Sequence, residues 1–250
     1  MIGVDITREC NFGIITLKNP SIHNALKIID IDLIRSTLQA WNKCNLSAIL
    51  ITGSGKSFCS GLFINELENK TWTENPISLL CNDIENSKCP VIAALNGSVF
   101  GGALELALAC DFRVANKKIS ISVPAAKLGI HYEPSGIDRA INLLGLSITR
   151  QLFLLGETLH ADKLNRTSFI DFWIDEPQTV LEKAKELITS IEQNAPLAVV
   201  GMKKVIVELI NGSLDHEAAF ERIQECFNSS DHQEALIARR ENRSPVFKGF

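Results

Sequence analysis

The stretch NGSVFGGALEL, residues 96–106, follows the apolar run VIAAL at 91–95. A second stretch of the same kind, FCSGLF at 58–63, follows the apolar run AILIT at 48–52. Short apolar runs rich in β-branched residues read as buried strands. In each case small residues follow, where the chain leaves a strand and heads toward a helix. Backbone N–H groups at a helix start have no intrahelical acceptor and can point at an incoming oxygen. Two such groups aimed at one point would make a pocket for a developing oxyanion.

Working outward, residues 12–17 read as a strand, closed by the turn signal Asn19-Pro20-Ser21. Residues 30–41 place Ile31, Ile34, Leu38 and Trp41 at helical spacing, with Asp30 as the expected N-cap. A helix is expected over 76–86 and another over 103–109, followed by short strands over 111–115 and 119–123. From residue 137 the pattern is mainly helical, with helices expected over 137–144, 149–155, 179–193, 197–211 and 215–227. The strand–turn–helix unit recurs near residues 48 and 91, which predicts a repeated α/β core with helices last.

The 250 residues are 46% hydrophobic and 22% charged, ample for one large core. With a net charge of −4 and no long basic stretch, a nucleic-acid surface is not expected, although a small phosphate-bearing ligand needs only a few local cations. The seven cysteines are odd in number, scattered and without a CxxC pair, which fits reduced thiols in the cytoplasm better than a zinc site or a disulfide framework. The N-terminus MIGVDITREC lacks a basic-then-apolar leader pattern, and the apolar runs are too short to cross a bilayer. The expectation is a cytoplasmic protein with no membrane partner.

Other motifs exclude chemistry. TGSGKSF at 52–58 lacks the first glycine of a phosphate-binding loop, because Leu50 occupies that position. No G-x-S-x-G marks a hydrolase nucleophile, and no histidine pair has metal-ligand spacing. Glu105 stands out in GGALELALACDF. A carboxylate among Ala, Leu and Cys loses hydration, its pKa rises, and proton transfer near neutral pH becomes accessible to it. The alternative is a buried structural ion pair with Arg113 or Arg139. Gly101 and Gly102 have a plain alternative as well, close helix–strand packing.

Five segments together carry a resemblance: NPSIHNAL at 19–26, GSGKSFCSGLFINEL at 53–67, NGSVFGGALELALACDFRVA at 96–115, PAAKLGIHYEPSG at 124–136 and EALIARRENRSPVF at 234–247. Over nearly its whole length the chain resembles the crotonase superfamily, also called the enoyl-CoA hydratase/isomerase family. The resemblance implies an α/β fold, a crotonase-like spiral of ββα repeats over residues 1–193 carrying an acyl-CoA site. It implies a C-terminal helical region over 194–250 for oligomer contacts in a homotrimer or hexamer. No cofactor or metal is implied, since the CoA thioester is itself the substrate. Carried over by position, the backbone N–H groups of Leu62 and Gly102 would hold the thioester oxygen, and Glu105 matches one of two glutamates that handle water and proton. Ala25 and Ser60 would meet CoA, with His23 near its phosphates. Gly61, Ile64, Gly101, Ala125, Glu133 and Arg243 fall at further substrate-binding positions.

The departures shape the chemistry. Ala125 stands where hydratases have their second glutamate, Phe63 replaces an acidic residue common after the first turn, and Arg239 and Asn242 replace an aromatic and a lysine in the tail. The loop GIHYEPSG most resembles methylmalonyl-CoA decarboxylases. There Tyr132 would orient a carboxylate, against the alternative that it only packs with its hydroxyl on backbone, and His131 or Glu133 could supply a replacement acid. Three functions are therefore carried forward. The first is an enolate-stabilising hydratase/isomerase-type enzyme with Glu105 as its one acid/base and weak hydration. The others are a malonyl- or methylmalonyl-CoA-type decarboxylase using Tyr132, and a non-catalytic CoA-binding scaffold.

Overall fold

The computed structural model describes residues 2–68, 72–175 and 179–250. β1 (Val4–Glu9) and β2 (Phe12–Leu17) open the chain as an antiparallel hairpin with Val4 opposite Leu17. A 3-10 turn at Pro20–Ile22 leads to α1 (Ile28–Trp41). Ile31, Ile34 and Leu38 share one buried face of α1, each worth roughly 1.5–3 kcal/mol relative to exposure. Contrary to the sequence expectation, Asp30 is not the N-cap. The helix starts two residues earlier, with Lys27 at the cap position, and Asp30 lies in the first turn. Its carboxylate accepts from the Lys27 N–H at 3.1 Å and from the Gly3 N–H at 2.7 Å, tying the helix start to the foot of β1.

Three similar units follow. β3 (Ala48–Gly53) and β4 (Ser57–Cys59) precede α2 (Ile64–Glu68) and α3 (Pro76–Glu85). β5 (Val91–Leu95) and β6 (Ser98–Phe100) precede α4 (Ala103–Ala109). β7 (Phe112–Asn116) and β8 (Ser120–Ser122) precede α5 (Pro134–Leu144) and α6 (Leu146–Arg150). A π-helical turn at Gln151–Leu155 then leads to β9 (Thr158–His160), α7 (Ala161–Leu164) and β10 (Phe172–Ile174). The first strand of each unit enters a six-stranded sheet, ordered β1-β2-β3-β5-β7-β10 and parallel from β2 onward. The second strand enters a four-stranded sheet, ordered β4-β6-β8-β9. The chain thus winds as a spiral of ββα turns, the α/β class read from the sequence.

The centre of the larger sheet is buried on both faces, which explains why β3 and β5 lack polar alternation, whereas the edge strand β1 is mostly exposed and alternates. Ile49, Ile51, Ala93 and Leu95 face a core shared with α1, α3 and α4. Their neighbours Ala48, Leu50, Ile92 and Ala94 face a second core under α8 (Val180–Glu192). The chain ends in α9 (Pro196–Ile210), α10 (His216–Asn228) and α11 (Ser230–Glu241). Lys203 ties α9 to the sheet. Its buried Nζ donates to the Cys89 carbonyl at 3.0 Å and to Asp111 Oδ2 at 2.5 Å, and that carboxylate also accepts the Val91 N–H at 2.6 Å.

Two further expectations need correction. Residues 149–155 are not one helix but the end of α6 followed by the π-helical turn. Each glycine turn leaves not the long strand but a second short one, β4 or β6. Among the described residues no helix is long and apolar enough to cross a membrane.

Gly13 in β2 lies beneath the Trp41 indole of α1, and a Cβ there would stand 2.4 Å from the ring. Gly13→Ala is therefore expected to overpack this contact and cost about 1–3 kcal/mol. Urea unfolding checks it: the midpoint should fall while the m value holds.

Candidate active site

The two glycine turns meet. Leu62 forms an isolated parallel bridge with Leu26, in which the Leu26 N–H donates to the Gly61 carbonyl and the Phe63 N–H to the Leu26 carbonyl, both at 2.8 Å. Because peptide groups alternate in direction along an extended strand, the Leu62 N–H points away from Leu26. Gly61 makes the turn at φ 85°, a conformation costly for any residue with a Cβ. Its Cα lies against the second turn, so closely that a Cβ would stand 2.6 Å from the Gly102 nitrogen. Among the described residues, neither the Leu62 N–H nor the Gly102 N–H has an acceptor. Buried Asn24 braces the first turn. Its Nδ2 donates to the carbonyls of Ser57 at 2.8 Å and Ser54 at 2.9 Å, while its Oδ1 accepts the Asn19 N–H at 2.9 Å.

All seven residues of α4 are buried, and Glu105 is its one charged residue, 2% exposed. Three donors hold the carboxylate. Arg139 Nη1 and Ser135 Oγ reach Oε1 at 2.9 and 3.2 Å, and Ser78 Oγ reaches Oε2 at 3.2 Å. Burial pushes the Glu105 carboxyl above its ordinary range despite Arg139 and the two serines, and the Glu133 carboxylate adds to the rise. Of the two arginines offered by the sequence, Arg139 is the partner. Arg113 instead binds Asp171 and the carbonyls of Phe169 and Cys110.

A cavity of about 480 Å³ opens over this point. It is lined by Ala25, Ser60, Leu62, Ile64, Gly101, Gly102, Glu105, Ala125, Tyr132 and Glu133, which sequence reasoning had singled out. Gly61 stands behind the lining, on Gly102. His23 and Arg243 are not brought to the cavity. His23 Nδ1 lies 2.8 Å from Ser57 Oγ with its ring edge-on to Phe100, and exposed Arg243 is held by Glu234 and Glu241. His131, offered by the sequence as a replacement acid, also lines the cavity, and Ile22, Phe63, Leu67, Asn75, Ile77, Phe100, Pro124, Leu128 and Ile130 complete a mostly apolar wall. Asn75 Nδ2 lies 3.5 Å from Glu133 Oε1. Sequence reasoning missed Ser78 and Ser135, since a serine on an amphipathic helix carries no signal of what it faces. Among the described residues no group of His, Cys, Asp and Glu could hold a metal ion.

A family model described as enoyl-CoA hydratase/isomerase matches residues 7–249. The chain is 30% identical to a short-chain-enoyl-CoA hydratase of Clostridium acetobutylicum, covering 99% of this chain and 97% of the relative. It is 27% identical to a 2,3-dehydroadipyl-CoA hydratase of Escherichia coli, covering 98% of each. The crystal structure of an enoyl-CoA hydratase from Bacillus anthracis superimposes with a TM-score of 0.86 at 26% identity, covering 99% of this chain and 100% of that one.

Tyr132, the one tyrosine of the chain, packs edge-on to Phe153 at 4.8 Å and donates its hydroxyl to the Gly101 carbonyl at 3.2 Å. Burial, with Glu105 nearby, pushes that hydroxyl well above the usual phenol range. The fold thus favours the neutral phenol. Its contribution to stability is present below the unfolded-chain pKa of about 10 and is lost as pH rises above it. In an alkaline titration, tyrosinate absorbance is expected to appear only as tryptophan fluorescence reports unfolding. A tyrosinate signal at about pH 10 in the folded protein would contradict the buried hydroxyl.

Proposed function

The chain belongs to the enoyl-CoA hydratase/isomerase family, and from that premise we propose that it stabilises a thioester enolate between the Leu62 and Gly102 N–H groups while Glu105 moves the proton. One observation carries the reading: a buried carboxylate three residues past Gly102 shares a cavity with two backbone donors that lack acceptors among the described residues. As charge develops on the thioester oxygen, preorganised N–H donors lower its energy, and losing one donor costs on the order of 3 kcal/mol in comparable sites. Glu105 as carboxylate would take a proton from the acyl carbon next to the thioester, and as carboxylic acid it would return one. Isomerisation needs only that single group. Hydration asks for a second, and Ala125 offers none, so hydration of simple enoyl-CoAs is expected to be weak.

Tyr132 lines the same cavity beside Glu105, which keeps a second reading open, release of CO₂ from a malonyl- or methylmalonyl-type CoA. That chemistry makes the enolate as the carboxylate leaves and requires a group to orient the carboxylate. The reading includes a cytoplasmic homotrimer or hexamer seated on the C-terminal helices. Met202, Ile206, Phe220, Ile223 and Phe227 are all at least half exposed along α9 and α10, which supports such contacts. Sedimentation equilibrium is expected to give three or six copies.

The test is turnover of crotonyl-CoA, of a 3-enoyl-CoA and of malonyl-type CoAs. Glu105→Gln is expected to lower hydration and isomerisation ~10²–10⁴-fold, the range for losing a general catalyst. Equal rates would remove Glu105 from the chemistry. Gly61→Ala, which pushes the two turns apart, is expected to lower kcat with Glu105 intact. CO₂ release lost in Tyr132→Phe would favour the second reading. Tight CoA binding without turnover of any of them would point to a scaffold.

A further inference from the structure

Arg139, 8% exposed, sits between two carboxylates. Its Nη1 donates to Glu105 Oε1 at 2.9 Å. Its Nη2 donates to Glu85 Oε2 at 3.0 Å and to Asn82 Oδ1 at 2.7 Å, and its Nε reaches Glu85 Oε1 at 3.4 Å. One cation on α5 therefore spans a carboxylate on α3 and the carboxylate on α4. Glu85 takes two of the guanidinium contacts and Glu105 takes one. The orientation of Glu105 follows from the same contacts. Oε1 receives Arg139 and Ser135, while Oε2 receives only Ser78, so Oε2 has acceptor capacity to spare. A guanidinium fixes such a fork rigidly, where an ammonium would not.

We propose that Arg139 is a positioning residue: it turns Glu105 so that Oε2 exchanges the proton, and Glu85, by competing for its charge, sets how tightly that proton is held. The inference rests on the reading of Glu105 as the acid/base. The groups facing Glu105 make the balance explicit. From α3 come Ser78 and the Cys81 thiol, with Glu85 behind Arg139, and from α5 come Ser135 and Arg139. Tyr132 and Glu133 face it from the segment leading into α5. The Cys81 thiol and the Tyr132 hydroxyl are both pushed well above their ordinary ranges by burial, so both stay neutral near neutral pH. Among the described residues, Arg139 is then the cation that the Glu105 and Glu85 carboxylates share, with Glu133 adding negative charge beside them. Weakening its link to Glu85 should lower the proton affinity of Glu105, and removing Arg139 should raise it.

The opposite signs give the test. Glutamate side chains carrying a ¹³C carboxyl are titrated by NMR in the full-length protein, with the Glu105 resonance identified by its loss in Glu105→Gln. Arg139→Met is expected to move the Glu105 midpoint up by roughly 1–3 pH units, the span for losing an adjacent opposite charge. Arg139→Lys should recover most of that shift, and Glu85→Gln should move the midpoint down. The acidic limb of kcat/KM for crotonyl-CoA should follow in the same direction in each variant. Unmoved midpoints in folded variants would overturn the proposal. If Arg139→Met does not fold, Glu85→Gln decides alone, and a midpoint that stays or rises there overturns it. Midpoints that move while the kinetic limb stays fixed would uphold the role of Arg139 and remove Glu105 from the reaction.

Discussion

A side-chain-free contact between two backbones, Gly61 against Gly102, is the constraint on which the site rests. No atom fits between the Gly61 Cα and the Gly102 nitrogen. That closeness requires β4 and β6 to lie side by side in the smaller sheet, Ser57 opposite Ser98, while the strands that deliver them, β3 and β5, pair in the larger one. It also requires the loop ahead of α1 to hold the first turn in place, which Asn24 does from the side and the Leu26–Leu62 bridge does from the chain itself. Two N–H groups are left without acceptors among the described residues, an arrangement that costs free energy when buried and is retained where it serves a ligand.

Beside that contact sits a carboxylate in electrostatic tension. Burial penalises its charge, while three donors favour it, and neither side removes the other. Proton transfer near neutral pH calls for that compromise: a group fully stabilised as carboxylate would be a poor acid, and one fully stabilised as acid would be a poor base. A buried ion pair and a catalytic carboxylate, posed as alternatives for Glu105 by the sequence, are thus compatible roles for one residue.

Much of this was legible in the chain because it depends on local pattern. The runs at 48–52 and 91–95 read as buried strands, as they are, and the glycines after them marked the turns. Glu105 among alanines and leucines announced its own burial. What escaped depends on convergence. β4, β6 and β9 are three residues long, too short for any period to appear, and their partners lie far away in sequence. Ser78 and Ser135 meet Glu105 from helices on either side of α4, and only that convergence selects Arg139 over Arg113, the two arginines the sequence offered. His23 was placed near the ligand by resemblance, but its left-handed backbone turns the ring onto Ser57 and Phe100. Asp30 was misread because a carboxylate at the third helical position also marks a helix start, but it reaches back to the N–H of the cap residue Lys27 rather than forward to the N–H groups a cap would satisfy.

The tie between Lys203 and Asp111 has a consequence for how this molecule comes apart. One carboxylate oxygen joins the C-terminal bundle to the first peptide of β5, the strand that carries the chain toward Gly102. Peeling α9 away would draw the buried Lys203 ammonium out of its seat and leave the Asp111 carboxylate, itself a quarter exposed, without its cation. The tie therefore couples the seating of α9 to the position of the first peptide of β5, so that loosening one end loosens the other.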